Sequence, residues 1–196
     1  MKIESESSAA LVSPSSAWAM LGVVSLAQFL GMTLWFSATA ITPLLVLEFA
    51  IPPHQVAWLT MAVQAGFVVG TLASALTNLA DMLNPRSLMF TGALAGALAN
   101  AAVIVAPGST SVIVLRFLTG ASLALVYPPG MKIAAGWFRD RRGFALGLLI
   151  AALTLGKAFP HLLTAMFGDN WHQPMLLVSA LAALGVAGCV PQNNAK

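Results

Sequence analysis

Six apolar runs, at about 17–41, 55–76, 87–106, 110–137, 143–167 and 174–190, occupy most of this chain of 196 residues, and the segments between them are short. Each run is close to the roughly 20 residues an α-helix needs to cross the hydrocarbon core of a bilayer. In lipid a backbone must satisfy its own hydrogen bonds, so runs of this kind form spanning helices. Composition removes the soluble alternative. Hydrophobic residues make up 59% of the chain and charged ones 8%, against about 25% charged in a soluble domain. What remains cannot cover a water-facing surface. The expected fold is an all-α membrane protein of six transmembrane helices in a lipid bilayer. No cleavable signal is expected: Glu4 and Glu6 stand near the start, and the first run is too long for a signal core.

Charge sets the orientation. Lys2, Arg86, Arg139, Arg141, Arg142 and Lys196 all fall on one side of the alternating spans, with Lys132 close to it, and the opposite loops hold no Lys or Arg. Basic loops stay in the cytoplasm. The pattern predicts a multi-pass protein of the cell's inner (plasma) membrane with both termini cytoplasmic. Residues 1–16, polar and Ser-rich, read as a disordered cytoplasmic tail. Ser13-Pro14 reads as an N-cap with proline at the first helical position. Residues 191–196 read as a truncated cytoplasmic tail. Past Thr42-Pro43, Leu44 to Phe49 stay apolar apart from Glu48 and extend the first helix beyond a kink. The net charge of +3 is small and loop-borne, which argues for topology and against nucleic-acid binding. The single cysteine, Cys189, permits no intrachain disulfide. His54, His161 and His172 lack metal-ligand spacing, so no metal or other cofactor is expected.

Polar residues inside the spans are the functional candidates. Arg116 stands in an otherwise apolar segment, where a charge costs about 2.5–3.5 kcal/mol near the bilayer centre. It forms one helical stripe with Gly120, Leu123 and Tyr127. Its place near the outer end of span 4 also allows snorkelling. Lys157 and His161 share a face of span 5 by i,i+4 spacing. No Asp or Glu lies within any span. An anionic substrate, carboxylates from another half, or a Lys157 left neutral by desolvation would answer these cations. The amides Gln28, Gln64 and Asn100 read as ties between helices. Gln28 shares a face with Gly31 and Trp35 and is the best placed to see a cavity. Tyr127-Pro128-Pro129-Gly130 interrupts span 4 as a kink, a hinge or a carbonyl cation site. Gly66/Gly70, Gly92/Gly96 and Gly143/Gly147 have the spacing of close helix contacts.

These residues carry a resemblance. The loop T-N-L-A-D-M-L-N-P-R at 77–86 resembles Gly-x-Leu-Ala-Asp-Arg-x-Gly-Arg-Arg, the signature of the major facilitator superfamily. Leu79, Ala80, Asp81 and Arg86 match it. Thr77 and Asn84 replace the two glycines, and Met82 and Pro85 replace two basic residues; Asn84 suits a left-handed turn. Arg116 to Gly120 resembles the family's fourth-helix Arg-x-x-x-Gly motif. The stretch Y-P-P-G-M-K…W-F…R-G-x-A-L-G is similar to prokaryotic permeases loosely grouped with nitrate/nitrite porters. Gly147, Gly156 and Pro160 resemble the fifth-helix motif of proton-driven drug antiporters, with Phe159 where that motif has glycine. The resemblance runs from span 1 to span 6. It implies half of a major-facilitator fold, the N-terminal six helices arranged as two inverted three-helix repeats, with a C-terminal half or a second copy as partner. It implies secondary transport of a small solute by alternating access. Arg116, Lys157, Gln28, Tyr127 and His161 are then substrate or coupling-ion candidates, and Asp81 and Arg86 a gating loop. The in-span cations favour an anionic solute. Two other readings are a truncated membrane protein with no transport of its own, and an intramembrane serine protease using Ser122 and His161. An enzyme is not the expected outcome.

Overall fold

The computed structural model describes residues 14–138 and 141–185. The Ser13 cap, Arg139 and Asp140 of the basic turn, Cys189 and most of both expected tails lie outside the described residues. Every described element is helical. In chain order these are α1 (Pro14–Ala40), α2 (Thr42–Glu48), α3 (Pro53–Val56), α4 (Trp58–Leu76), α5 (Leu79–Met82) and α6 (Pro85–Ala101). A 3-10 turn (Ala102–Val105) continues α6, and α7 (Ser109–Leu123), α8 (Tyr127–Trp137), α9 (Arg142–Phe167) and α10 (His172–Gly185) follow. Among the described residues, five stretches are long and apolar enough to cross a membrane: Ala17–Ala40, Pro53–Leu76, Pro85–Val105, Ser109–Trp137 and Arg142–Phe167. The 14 described residues of α10 are apolar but fall short of the roughly 20 a crossing takes.

Local chemistry explains the boundaries. Thr42 and Pro43 end α1, and α2 resumes at once with proline in its first turn. In the 77–86 loop the left-handed residue is Asn78, at φ 50°, not Asn84. Asn84 is extended and serves as N-cap, its Oδ1 accepting from the Arg86 N–H at 2.9 Å. Proline at the next position forces this, since a residue before proline is held out of helical and left-handed backbone.

The helices pair in a pattern that survives an exchange of halves. α4 packs chiefly on α7, and α1 on α9; α6 packs on α7, and α10 on α1; α6 and α10 pack on each other. Exchanging α1, α4 and α6 for α7, α9 and α10 reproduces the same pairs. The close contacts repeat as well. A Cβ on Gly66 would overlap the Phe117 carbonyl of α7, and one on Gly156 would press on the Phe29 carbonyl of α1. A Cβ on Gly92 would meet Ser122 and Leu125, and one on Gly185 would meet Leu30. Gly120 receives the Val63 carbonyl so closely that no side chain fits. Gly143 and Gly147 meet nothing within 4 Å, so the third glycine pair is not a packing device among the described residues. Both face outward on α9, where spacing alone could not reveal the absence of a neighbour.

Two apolar clusters fill the interior. One gathers Leu21, Val24, Leu34 and Leu149; the other gathers Ile41, Leu45, Leu59, Val112 and Trp171. Apolar side chains also face outward, among them Val68, Val69 and Leu72 on α4 and Ile150, Leu155 and Leu162 on α9. Arg86 and Lys132 lie at one end of the bundle. There Trp18 meets Phe138 at 5.2 Å and Phe144 at 5.8 Å, Lys132 pairs with Asp81, and Arg86 lies against Met20. At the other end Phe49 meets Trp171 at 6.0 Å.

Gly120→Val should destabilise the bundle by about 1–3 kcal/mol, the usual effect of overpacking. Gly147→Ala should be neutral or stabilise α9 by up to about 1 kcal/mol. Thermal unfolding of both variants in detergent checks the contrast.

Candidate functional site

The fourth membrane helix is broken where its sequence demands it. α7 stops at Leu123 and α8 restarts at Tyr127. Pro128 and Pro129 have no N–H to give the carbonyls one turn back, yet both fit the first turn of a new helix, where those donors would be unused. Short turns bridge the gap, with Leu125 N bonded to Ser122 O at 3.1 Å and Val126 N to Leu123 O at 3.0 Å. Gln28 of α1 docks on this break. Its Nε2 donates to the Val126 carbonyl at 3.3 Å and to the Tyr127 carbonyl at 3.0 Å. Gly130 makes the approach possible, because a Cβ there would overlap the Gln28 amide.

Arg116 makes the converse tie. Its side chain on α7 is completely buried. It donates to the α1 carbonyls of Leu34, at 3.1 Å, and Trp35, to the Leu59 carbonyl of α4 at 3.4 Å, and to Asn100 Oδ1 of α6 at 3.1 Å. Four of the five guanidinium N–H donors are engaged. Asn100 extends the network. Its Oδ1 also accepts from the Ser37 hydroxyl at 2.7 Å, and its Nδ2 donates to Ser179 Oγ and Met175 Sδ of α10, each at 3.0 Å. The cation is thus met by backbone dipoles and one amide, one of the accepted ways to hold a charge at membrane depth. It does not snorkel.

A cavity of about 430 Å³ opens between α1, α4, the α7–α8 break and α9. Three aromatic rings form one wall: Trp35 meets Phe67 edge-on at 5.1 Å, and Phe67 meets Tyr127 at 6.2 Å. Met32, Leu123, Ile150 and Leu153 add aliphatic surface. The polar groups are few. Thr154 spends its hydroxyl on the Ile150 carbonyl at 2.9 Å. Lys157 is exposed in the cavity, its Nζ 5.7 Å from the Phe36 ring centroid. The ion pair found among the described residues is elsewhere, between Lys132 and Asp81 at 2.5 Å.

Of the candidates read from the sequence, Gln28, Tyr127 and Lys157 line this one cavity. Arg116 lies behind its wall. His161 is exposed on α9 outside the lining and has no hydrogen bond to Lys157 among the described residues. Asp81 pairs with Lys132 of α8, while Arg86 points to Met20 Sδ at 3.9 Å. Gln64 is exposed, and Asn100 ties helices as expected. The Ser122 hydroxyl bonds to its own helix at the Leu118 carbonyl, 2.8 Å away. It forms no hydrogen bond with His161 among the described residues. Phe36, Phe67 and Thr154 were not anticipated. Thr154 stands three residues before Lys157, a spacing that could have linked them; Phe67, on another helix, left no such signal.

Bundle, break and cavity together define a multi-pass helical membrane protein with a cavity beside its broken fourth helix. The sequence profile of the Major Facilitator Superfamily matches residues 24–194, and the chain belongs to that family. It is 27% identical over 177 residues to monocarboxylate transporter 13 of Rattus norvegicus, covering 86% of this chain and 40% of the relative. It is 26% identical over 129 residues to an uncharacterized 38 kDa protein in the 23S RNA operon of Thermoproteus tenax, covering 63% of this chain and 34% of the relative. The chain therefore spans less than half the length of these curated relatives.

Arg116→Lys keeps the charge but cannot fork across α1, α4 and α6. It should destabilise the bundle by at least about 2 kcal/mol. Lys157→Gln, at an exposed position, should change stability by less than about 0.5 kcal/mol. Unfolding in detergent micelles distinguishes the two arginine and lysine roles.

Proposed function

We propose that this chain is one six-helix unit of an alternating-access secondary transporter, and that its cavity holds a small organic anion. One observation carries the reading: Lys157 presents a cation to an apolar, aromatic-walled cavity that holds no carboxylate among its lining residues. At about 430 Å³ the cavity falls in the range of small-molecule sites, about 300–1,000 Å³. The rat relative is named a monocarboxylate transporter, which suits the same chemistry.

The energetics favour transfer of Lys157 from ring to solute. Its contact with Phe36 is a cation–π interaction, worth about 0.5–1 kcal/mol at an exposed site. A hydrogen bond to a charged group contributes about 1.5–3 kcal/mol. An entering carboxylate therefore draws the ammonium off the ring. Gln28 and Tyr127 orient the solute from the α1 and α8 sides. Arg116 serves as a clamp on the cavity wall, and His161 receives no solute contact in this assignment. A second six-helix unit, a C-terminal half or another copy, closes the open side, and the two rock about the site. The Asp81–Lys132 pair is the cytoplasmic latch. Both side chains are more than half exposed or nearly so, at 72% and 50%. An exposed pair is worth about 0–1 kcal/mol, weak enough to break and reform in every cycle. The end bearing Arg86, Lys132, Arg141 and Arg142 faces the cytoplasm of an inner-membrane protein.

In lipid nanodiscs, phenylpropionate should quench tryptophan fluorescence saturably. Lys157→Gln should weaken that binding tenfold or more, and Lys157→Arg should retain most of it. Equal binding of the acid and its neutral amide would sink the anion assignment.

A further inference from the structure

The cavity holds a second recognition element, on Gln28. This side chain is 2% exposed and lines the cavity. A primary amide carries two N–H donors and one oxygen acceptor. Both donors are committed to carbonyls, those of Val126 and Tyr127. Carbonyls only accept, so the amide cannot be turned round without setting oxygen against oxygen. The oxygen is therefore the group left for the cavity, and it accepts no hydrogen bond among the described residues. Water can fill that role while the cavity is empty. A solute that displaces such a water without replacing its hydrogen bond loses affinity.

We infer that the solute is an organic acid bearing a hydroxyl at the end opposite its carboxylate, with Gln28 Oε1 as acceptor for that hydroxyl. This rests on the anion reading of Lys157. The distances suit an elongated molecule. Gln28 and Phe36 are two turns apart on α1, about 12 Å along the axis, and the Lys157 ammonium lies beside Phe36. Between these poles stand Met32, Trp35, Phe67 and Tyr127, an apolar and aromatic surface for the body of the solute. A hydroxyl fits the Gln28 end better than an ammonium. One amide oxygen with no carboxylate near it cannot replace the hydration of a full charge. The geometry thus selects a phenolic or hydroxylated acid with an apolar middle.

The test uses the full 196-residue chain in nanodiscs, titrated with four matched probes and read by tryptophan fluorescence and calorimetry. The probes are p-hydroxyphenylpropionate, phenylpropionate, p-methoxyphenylpropionate and p-hydroxyphenylpropionamide. The phenolic acid should bind about ten- to a hundredfold more tightly than the acids that lack the donor. Lys157→Gln should weaken both the phenolic and the unsubstituted acid and preserve their ratio. Gln28→Met should abolish the ratio. If that variant does not fold, the probe series on the native chain still decides. Equal affinity for the phenolic and unsubstituted acids would overturn the hydroxyl assignment and leave the anion reading standing. Equal affinity for the phenolic acid and its amide would overturn the anion reading, and no binding of any probe at millimolar concentration would overturn both.

Discussion

A guanidinium deep in an apolar bundle has to be surrounded by acceptors, and in this protein most of those acceptors are backbone carbonyls of neighbouring helices. Arg116 reaches from the fourth membrane helix to the carbonyls of Leu34 and Trp35 on the first. Gln28 reaches from the first helix to the carbonyls of Val126 and Tyr127 on the fourth. The two ties are reciprocal, and each fixes the backbone of an aromatic residue, Trp35 or Tyr127, whose ring lines the cavity. The low dielectric that makes a lone charge costly also makes a completed network rigid. The cavity wall inherits that rigidity from Gln28 within its lining and from Arg116 behind it.

Small residues determine where those ties can form. Gly66 and Gly120 bring α4 and α7 into backbone contact, and Gly156 does the same for α9 and α1. With no hydrophobic effect between helices in lipid, such close packing is what holds them together. α4 therefore rests on α7 and α1 on α9, and the space between these two pairs is lined by side chains rather than closed by backbone. The broken fourth helix opens onto that space. Similar close contacts recur among the α1, α4, α6 and the α7, α9, α10 helices, as Phe29 and Phe117, Gly66 and Gly156, and Gly92 and Gly185 illustrate. No run of matching letters in the sequence announces this likeness, because the matched residues are single and far apart.

The helices were legible because their signal is local. An apolar run long enough to cross a bilayer is visible one residue after another, and Thr42-Pro43, Asn84-Pro85 and Pro128-Pro129 mark the interruptions. Half of the site was legible for the same reason: a Gln, a Tyr and a Lys inside apolar segments stand out wherever they point. The role of Arg116 was not legible. Its partners are carbonyls, which every residue possesses, so they leave no trace in composition or spacing. Asp81 and Arg86 lie in one loop and were read together as a gate, yet the partner of Asp81 is Lys132, far along the chain on α8. His161 shares a helical face with Lys157, but a face is wider than a cavity, and His161 lies beyond the lining.

The sequence by itself determined that this is a helical membrane protein, where its helices run, and which end carries the basic residues. Hydrophobicity and charge act on each segment separately, and a bilayer reads them one helix at a time. Only the tertiary structure decided which polar side chains share a cavity and which are spent on holding the bundle together. That choice depends on distances between helices far apart in the chain, and those distances depend on where a missing side chain lets two backbones touch.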